Sequence, residues 1–332
     1  MINWIKNNES NIVLSTKVSL SRNLKRYPFP HKCTEEDGND IVEKIYNVAS
    51  EYKDQHLRLV HLAEENELDK IELTNKRIIS NEIKDSSAVI INEDETISLI
   101  INEEDHIKIQ CVTGGFNIEE PYCCSNDIDD VIEDKFDYAY DSKYGYLTSS
   151  PMNLGTGMRV SVVMHLPALV MRKQIHSIEE NINKIGVGIK GLYLNEGESN
   201  LYEVYNKITL GLTEEEIIAN LKAVVEEICS KEVSCREKLQ EKLRYELEDK
   251  ICRALGILNS AVIMSFKESL KLLSYVRNGV ELGIIKNIPI EKINELLLEV
   301  EPSVIRCKYK EELEGKSEGF VRARVIKDLL KE

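Results

Sequence analysis

The sequence predicts an α+β protein: an antiparallel sheet flanked by helices, followed by an all-helical C-terminal region. Three observations carry this. Short β-type apolar runs recur through the first 211 residues, several of them are separated by only a few polar residues, and the chain beyond Thr213 has helical spacing. Strands that follow one another this closely are joined by hairpins, because a parallel crossover needs a dozen or more residues. A chain of 332 residues is long enough for two domains with a substantial core.

Taken in order, Val13-Leu14 opens the strand series, and residues 39–56 have helical spacing. Ala88-Val89-Ile90-Ile91 reads as a strand, Asn92-Glu93-Asp94-Glu95 as a turn, and Ile97 to Ile101 as the returning strand. A third run, Ile107 to Val112, continues the meander, and residues 127–137 are again helical. Arg159 to His165 reads as a central strand that Pro167 ends. Thr213-Glu214-Glu215-Glu216 is a capping box, with Thr213 as cap and Glu216 at the third helical position. Behind it Ile217, Ile218, Leu221, Val224, Val225 and Ile228 form one apolar stripe. Helical patterns recur at 236–256, 260–282, 289–300 and 318–331, punctuated by Pro289 and Pro302. A boundary near 230 divides the chain into expected domains 1–230 and 231–332.

Composition narrows the function classes. The chain is 42% hydrophobic and 30% charged, which is ordinary for a soluble protein. No apolar run approaches the ~20 residues that span a bilayer, and the N-terminus lacks signal-peptide architecture. The expectation is a cytoplasmic protein with no membrane partner. Eight cysteines without a Cys-x-x-Cys pair read as reduced thiols rather than a zinc site, so no metal ligands are expected from the chain itself. A net charge of −15 argues against a nucleic-acid surface and favours a cationic partner.

Four segments carry the chemistry. Ser15-Thr16-Lys17-Val18-Ser19-Leu20-Ser21-Arg22-Asn23-Leu24 leads into Tyr27-Pro28-Phe29-Pro30. Asn102-Glu103-Glu104-Asp105-His106 places three carboxylates directly after an apolar run. Gly145 to Arg159 contains Thr148-Ser149-Ser150-Pro151-Met152-Asn153-Leu154-Gly155-Thr156-Gly157. Lys190-Gly191-Leu192-Tyr193 runs on toward Ile208-Thr209-Leu210-Gly211. Alone, the carboxylate cluster reads more readily as a solvated turn than as a cation site.

Together the four segments resemble the ATP:guanidino phosphotransferases, the phosphagen kinase family, and within it the bacterial protein-arginine kinases. The match runs in order over roughly residues 12–211. The resemblance implies a guanidino-kinase catalytic domain, ATP with Mg2+ as cofactors, a protein substrate, a homodimer, and work with a zinc-binding adaptor protein and a Clp unfoldase. The residue types fit that chemistry. Carboxylates grip a guanidinium and take its proton, while cations grip the triphosphate and stabilise the charge in transfer. By this resemblance Glu104, with Glu103 and Asp105, forms the catalytic carboxylate group. Lys17, Ser19, Arg22, Lys108, Arg159, Ser161 and Lys190 fall at nucleotide-binding positions. Ser150, Asn153, Asn195 and Glu196 fall on the substrate loops. Arg322 and Arg324 fall where the subfamily has a phosphoarginine pocket, although only Arg322-Ala323 matches its pattern.

The sequence also departs from the family. Positions 17, 19, 108 and 190, arginine in the family, are Lys, Ser, Lys and Lys, so Arg159 is the one arginine kept of five. Asn195 stands where a second glutamate belongs, and Ser150 replaces a reactive cysteine. Lysine keeps the charge but loses the planar fork that matches phosphate. Losing a transition-state arginine costs ~10³–10⁵ in rate. Two readings stay open: a catalytically impaired pseudokinase acting through protein partners, and an active protein-arginine kinase that works with lysines.

Overall fold

The computed structural model describes residues 12–52, 56–80, 83–193, 199–313 and 315–331. Its elements run β1 (Val13–Arg22), α1 (Glu35–Ala49), β2 (Arg58–His61), α2 (Glu67–Asn75), β3 (Ala88–Ile91), β4 (Ile97–Ile101), β5 (Ile107–Gly114), α3 (Glu119–Glu133), β6 (Tyr140–Asp141), β7 (Gly145–Tyr146), β8 (Met158–His165), α4 (Pro167–Met171), α5 (Ile175–Asn183), β9 (Val187–Gly191), β10 (Leu201–Asn206), α6 (Glu214–Lys242), α7 (Arg244–Ser260), α8 (Phe266–Glu281), α9 (Ile290–Glu299), α10 (Pro302–Lys308) and α11 (Glu318–Lys331). Eight strands form one sheet in the order β2-β3-β4-β5-β1-β8-β10-β9, and β6-β7 is a separate hairpin. The chain divides into two compact units. One holds Ser15–Val162 and Tyr205–Lys222; the other holds Val163–Val204 and Ala223–Glu332.

In the first unit the expected meander is present. β2 pairs antiparallel with β3, β3 with β4, β4 with β5, and β5 with β1. The β5–β1 register sets Val112 opposite Lys17, Gln110 opposite Ser19 and Lys108 opposite Ser21. Strand alternation therefore puts Lys17, Ser19, Ser21, Lys108 and Gln110 on one face. The other face of β1 carries Val18 and Leu20, both fully buried. On β8, Met158, Val160 and Val162 are fully buried, so Arg159 and Ser161 point the opposite way. Toward β3 and β4, the polar face gives way to a small core of Val89, Ile91 and Ile100 under Leu62, Ile78 and Ile79.

The capping box forms reciprocally. Glu216 N donates to Thr213 Oγ1 at 3.2 Å, and Thr213 N donates to Glu216 Oε2 at 2.8 Å. The helix it starts runs without a break to Lys242, through the position 230 expected as a boundary. Pro167 does end a strand, but it also opens α4 at its first turn, where its missing N–H costs nothing.

The second unit contains the helices expected near 260–282, 289–300 and 318–331. Their core includes Leu247, Ile251, Leu258, Leu270, Leu273, Val276, Ile293 and Leu296. Gly279 lets two helices approach: a Cβ there would lie 2.4 Å from Ile251 Cγ2. This unit also buries an ionic cluster that sequence reasoning missed. Arg236 bonds Glu232 at 2.7 Å and Glu281 at 2.7 Å. Arg277 pairs with Glu281 and donates to Asn294 Oδ1 at 2.9 Å. Glu232 accepts from the backbone N–H groups of Ala168 and Leu169 at 3.0 and 2.9 Å. His165 completes the cluster, and burial lowers its pKa to about 4. Since Arg277 donates to Nδ1, the neutral ring carries its proton on Nε2 and donates to Ser274 Oγ at 2.8 Å.

Candidate functional site

The acidic segment is the turn between β4 and β5, and its five residues have divided roles. Asn102 takes a left-handed φ of 57° and closes the turn by donating its N–H to His106 O at 3.0 Å. Its side-chain amide donates to Gly38 O and Ser86 O at 2.9 and 3.0 Å. Glu103 is buried, where it accepts from Ser80 N at 2.5 Å and pairs with Lys108 Nζ at 3.5 Å. Asp105 is buried too. Its Oδ1 accepts from Asn23 Nδ2 at 2.7 Å and Ser149 N at 2.6 Å. Its Oδ2 is buried with no hydrogen-bond partner among the described residues. Glu104 alone is exposed, and it accepts from Asn153 Nδ2 at 3.4 Å. A carboxylate that faces solvent beside two anchored ones is placed to meet a cationic ligand.

His106 is a structural histidine. Leu24 N donates to its Nδ1 at 3.0 Å, so Nε2 carries the proton and donates to Pro28 O at 2.9 Å. Burial lowers its pKa to about 4, which keeps the ring neutral. It latches the Leu24–Pro28 segment onto the acidic turn.

The third motif is brought to the acidic turn by two bonds already named: Ser149 N to Asp105, and Asn153 to Glu104. Ser150 is half-buried in this loop, where its carbonyl accepts from Thr148 Oγ1 at 2.8 Å and Asn153 N at 3.0 Å. The loop is braced from behind by the Ile208-Thr209-Leu210-Gly211 motif. Thr209 Oγ1 lies 3.0 Å from Met152 O and 2.7 Å from Leu154 O, and its carbonyl accepts from Thr156 N at 3.1 Å. The glycines answer to this bracing. At Gly155, φ is 107° and a Cβ would lie 2.3 Å from Thr209 O; at Gly157, φ is 64° and a Cβ would lie 2.6 Å from Ser21 O.

The opposing cationic face is thinner. Lys17, Ser19 and Lys108 share the polar face of β1 and β5, and Ser19 Oγ lies 3.4 Å from Arg159 O, which brings β8 alongside. Arg159 is half-buried over the Tyr205 ring at 5.5 Å. Ser161 is buried. Asn206 holds β8 in place: it accepts from Val160 N at 2.7 Å and donates to Met158 O at 3.1 Å. Lys190, in the other unit, pairs with Glu203 at 3.0 Å. Asn195 and Glu196 lie outside the described residues. Among the described residues no group of three or more His, Cys, Asp or Glu is arranged to hold a metal ion.

Three expected site residues have other work. Arg22 sits on the core face of β1, opposite Lys17 and Ser19, and is 1% exposed. Its Nη2 bonds Asp129 at 2.6 Å, its Nη1 donates to Ser21 O and Thr156 O at 3.0 and 2.9 Å, and its guanidinium lies 3.6 Å from the Tyr146 ring centre. It is a buried clamp on the Thr156-Gly157 turn, not a nucleotide contact. Arg322 is buried as well, donating to Val300 O at 2.7 Å and Met264 O at 3.3 Å. Arg324, two residues on, is about 200° around the helix from it and lies 3.9 Å from Asp328. The two arginines therefore do not converge on one anion pocket. Asn23, Asp129 and Asn206 were missed; the alternation of β1 marks Arg22 for the core, but nothing local marks its partners.

Comparison with known proteins places the fold in a family. The family model for the ATP:guanido phosphotransferase C-terminal catalytic domain matches residues 39–235. The fold is shared with lombricine kinase, at 19% identity with TM-score 0.60 over 69% of each chain. It is also shared with the duplicated taurocyamine kinase of Schistosoma mansoni, at 24% identity with TM-score 0.63 over 73% of this chain and 37% of that one. The chain belongs to the ATP:guanido phosphotransferase family. The model for the protein-arginine kinase McsB C-terminal domain matches residues 244–332. The protein-arginine kinase of Clostridium tetani is 45% identical across 100% of this chain and 99% of its own length. That of Brevibacillus brevis is 39% identical, over 99% and 95%. Within the family, the chain is thus a protein-arginine kinase homologue. No helix among the described residues is long and apolar enough to cross a membrane.

Proposed function

We propose that the chain recognises arginine side chains of proteins at Glu104 and transfers phosphate to them slowly or not at all, acting as a catalytically impaired member of the protein-arginine kinase family. The observation that carries this is the asymmetry of the site. Glu104 is exposed and backed by anchored Glu103 and Asp105, while the opposite face retains one arginine. Glu104 orients the guanidinium and accepts its proton; Asn153 sets the carboxylate's direction. Arg159 suits a triphosphate as a planar fork and Lys17 and Lys108 as point charges, although Lys108 divides its charge with Glu103. Lys17, Lys108 and Arg159 would hold the phosphates of ATP–Mg2+, whose negative charge fits this cationic set. The bound nucleotide would supply the phosphoryl group.

The family resemblance supports the remaining parts of the reading: a cytoplasmic homodimer, a zinc-binding adaptor, a Clp unfoldase, and a division of labour near residue 230. The alternative is an active protein-arginine kinase. Its support is the name carried by full-length relatives at 39–45% identity and the four cations, Lys17, Lys108, Arg159 and Lys190, that stand at the five phosphate positions. Incubation with ATP, Mg2+ and an arginine-rich protein, read by mass spectrometry for acid-labile phosphoarginine, separates the two. Trace or no product is expected. Robust product that vanishes in Glu104→Ala establishes the active kinase instead.

A further inference from the structure

We infer that Asn23 is the positioning residue of the guanidinium half of the site. The inference rests on the arginine-recognition reading and deepens it. Asn23 is 2% exposed and follows the last residue of β1. Its Nδ2 donates to Asp105 Oδ1 at 2.7 Å and to Leu147 O at 3.0 Å, and its Oδ1 accepts from His106 N at 2.9 Å. The orientation of the amide is forced: both Nδ2 partners only accept, and the Oδ1 partner only donates. One buried side chain thus ties three segments together: the end of β1, the acidic turn and the substrate loop. Both Asp105 and Leu147 are bonded to a single nitrogen, so the turn and the loop are held within a few ångströms of each other.

The consequence falls on Glu104. Its neighbour Asp105 is fixed by Asn23 and by Ser149 N, and its own partner Asn153 lies in the loop that Leu147 and Ser149 belong to. Without the Asn23 amide the turn and the loop keep the Asp105–Ser149 and Glu104–Asn153 bonds but lose the bridge that fixes Asp105 against Leu147 O. Glu104 then loses its fixed distance from the loop. The Asn23 side chain bonds the acidic turn and the substrate loop, so its effect falls first on the guanidinium half.

The discriminating variant is Asn23→Asp, which keeps the size but sets a second carboxylate against Asp105. Two carboxylates this close share a proton at lowered pH, and that proton restores a donor between them. The other charged or titratable groups around the contact are Glu103, Glu104 and His106 from the turn, with Lys84 and Cys33 beside the imidazole. Titration of a blocked Gly-Arg-Gly peptide by calorimetry should show Asn23→Asp weakened about tenfold or more at pH 8 and largely restored at pH 5.5. Asn23→Ala should be weak at both pH values, and ATP–Mg2+ affinity should match wild type in both variants. Unaltered peptide affinity in Asn23→Asp at pH 8, or equal loss of peptide and nucleotide, overturns the inference. If wild type binds no peptide, the arginine-recognition reading fails by itself. The contact is then read from thermal midpoints, where Asn23→Asp must gain on wild type between pH 8 and 5.5; no gain overturns the positioning role.

Discussion

The two faces of the candidate site are built to different standards. On the carboxylate face every group around the exposed Glu104 is anchored: Glu103 by Ser80 and Lys108, Asp105 by Asn23 and Ser149, and His106 by Leu24 and Pro28. On the cationic face the scaffold is equally firm, with Asn206, Thr209 and Arg22 bracing β8 and its approach. The side chains that scaffold presents are Lys17, Ser19 and Lys108, with Arg159 as the arginine. The proposed impairment rests on that difference: the scaffold aims the positions, and lysine supplies charge there without arginine's planar fork.

The comparison can be broken most strongly by restoring the lost chemistry. Lys17→Arg, Ser19→Arg, Lys108→Arg and Lys190→Arg combined with Asn195→Glu should raise the initial rate of phosphoarginine formation by ~10³ or more. A wild type already as fast as this variant removes the asymmetry. A second prediction concerns the scaffold beneath the cationic face. Asp129→Ala removes the closest carboxylate of the buried Arg22, leaving Glu214 at 4.0 Å, and should cost ~3–5 kcal/mol of stability by urea denaturation. A loss under 1 kcal/mol would mean that Arg22 is not the clamp described.

Acid should weaken the fold through both units. His106 and His165 are each lowered to about 4 from an ordinary 6.5, so between these values the unfolded chain binds more protons than the folded one. Stability from these groups is full above about pH 6.5 and is lost as pH falls toward 4, by ~1.4 kcal/mol per pH unit for each ring. His165→Asn should reduce that slope by about half across pH 4.5–6, measured as denaturant midpoints. The smallest effect sharpens the comparison. Arg159→Lys should weaken ATP–Mg2+ binding about tenfold, with arginine-peptide affinity unchanged.

Much of the fold was legible because it is written in local patterns. Apolar runs of four to eight residues marked β3, β4, β5 and β8, and Thr213 with Glu216 marked the start of the long helix. Placing Glu104, Asn153 and Arg159 at one site came from motif resemblance; the Asn153–Glu104 bond joins two of the three. What stayed hidden depends on residues far apart in sequence. Arg22 looks like one more basic residue in a polar motif until Asp129, 107 positions away, is seen beneath it. Arg322 resembles half of a binding pattern, yet its guanidinium is buried against two backbone carbonyls and Glu318. The ionic cluster around Arg277 left a weak trace in the i,i+4 spacing of Glu232 with Arg236 and Arg277 with Glu281. That spacing usually marks a solvated helix face, so burial could not be read from it.

One paired calorimetric titration distinguishes a working guanidinium face from an impaired phosphate face. Wild type and Glu104→Gln are each titrated with a blocked arginine peptide and, separately, with ATP–Mg2+. Peptide binding should disappear in Glu104→Gln, with nucleotide binding weak and the same in both proteins. Tight nucleotide binding with no peptide binding in wild type would contradict it.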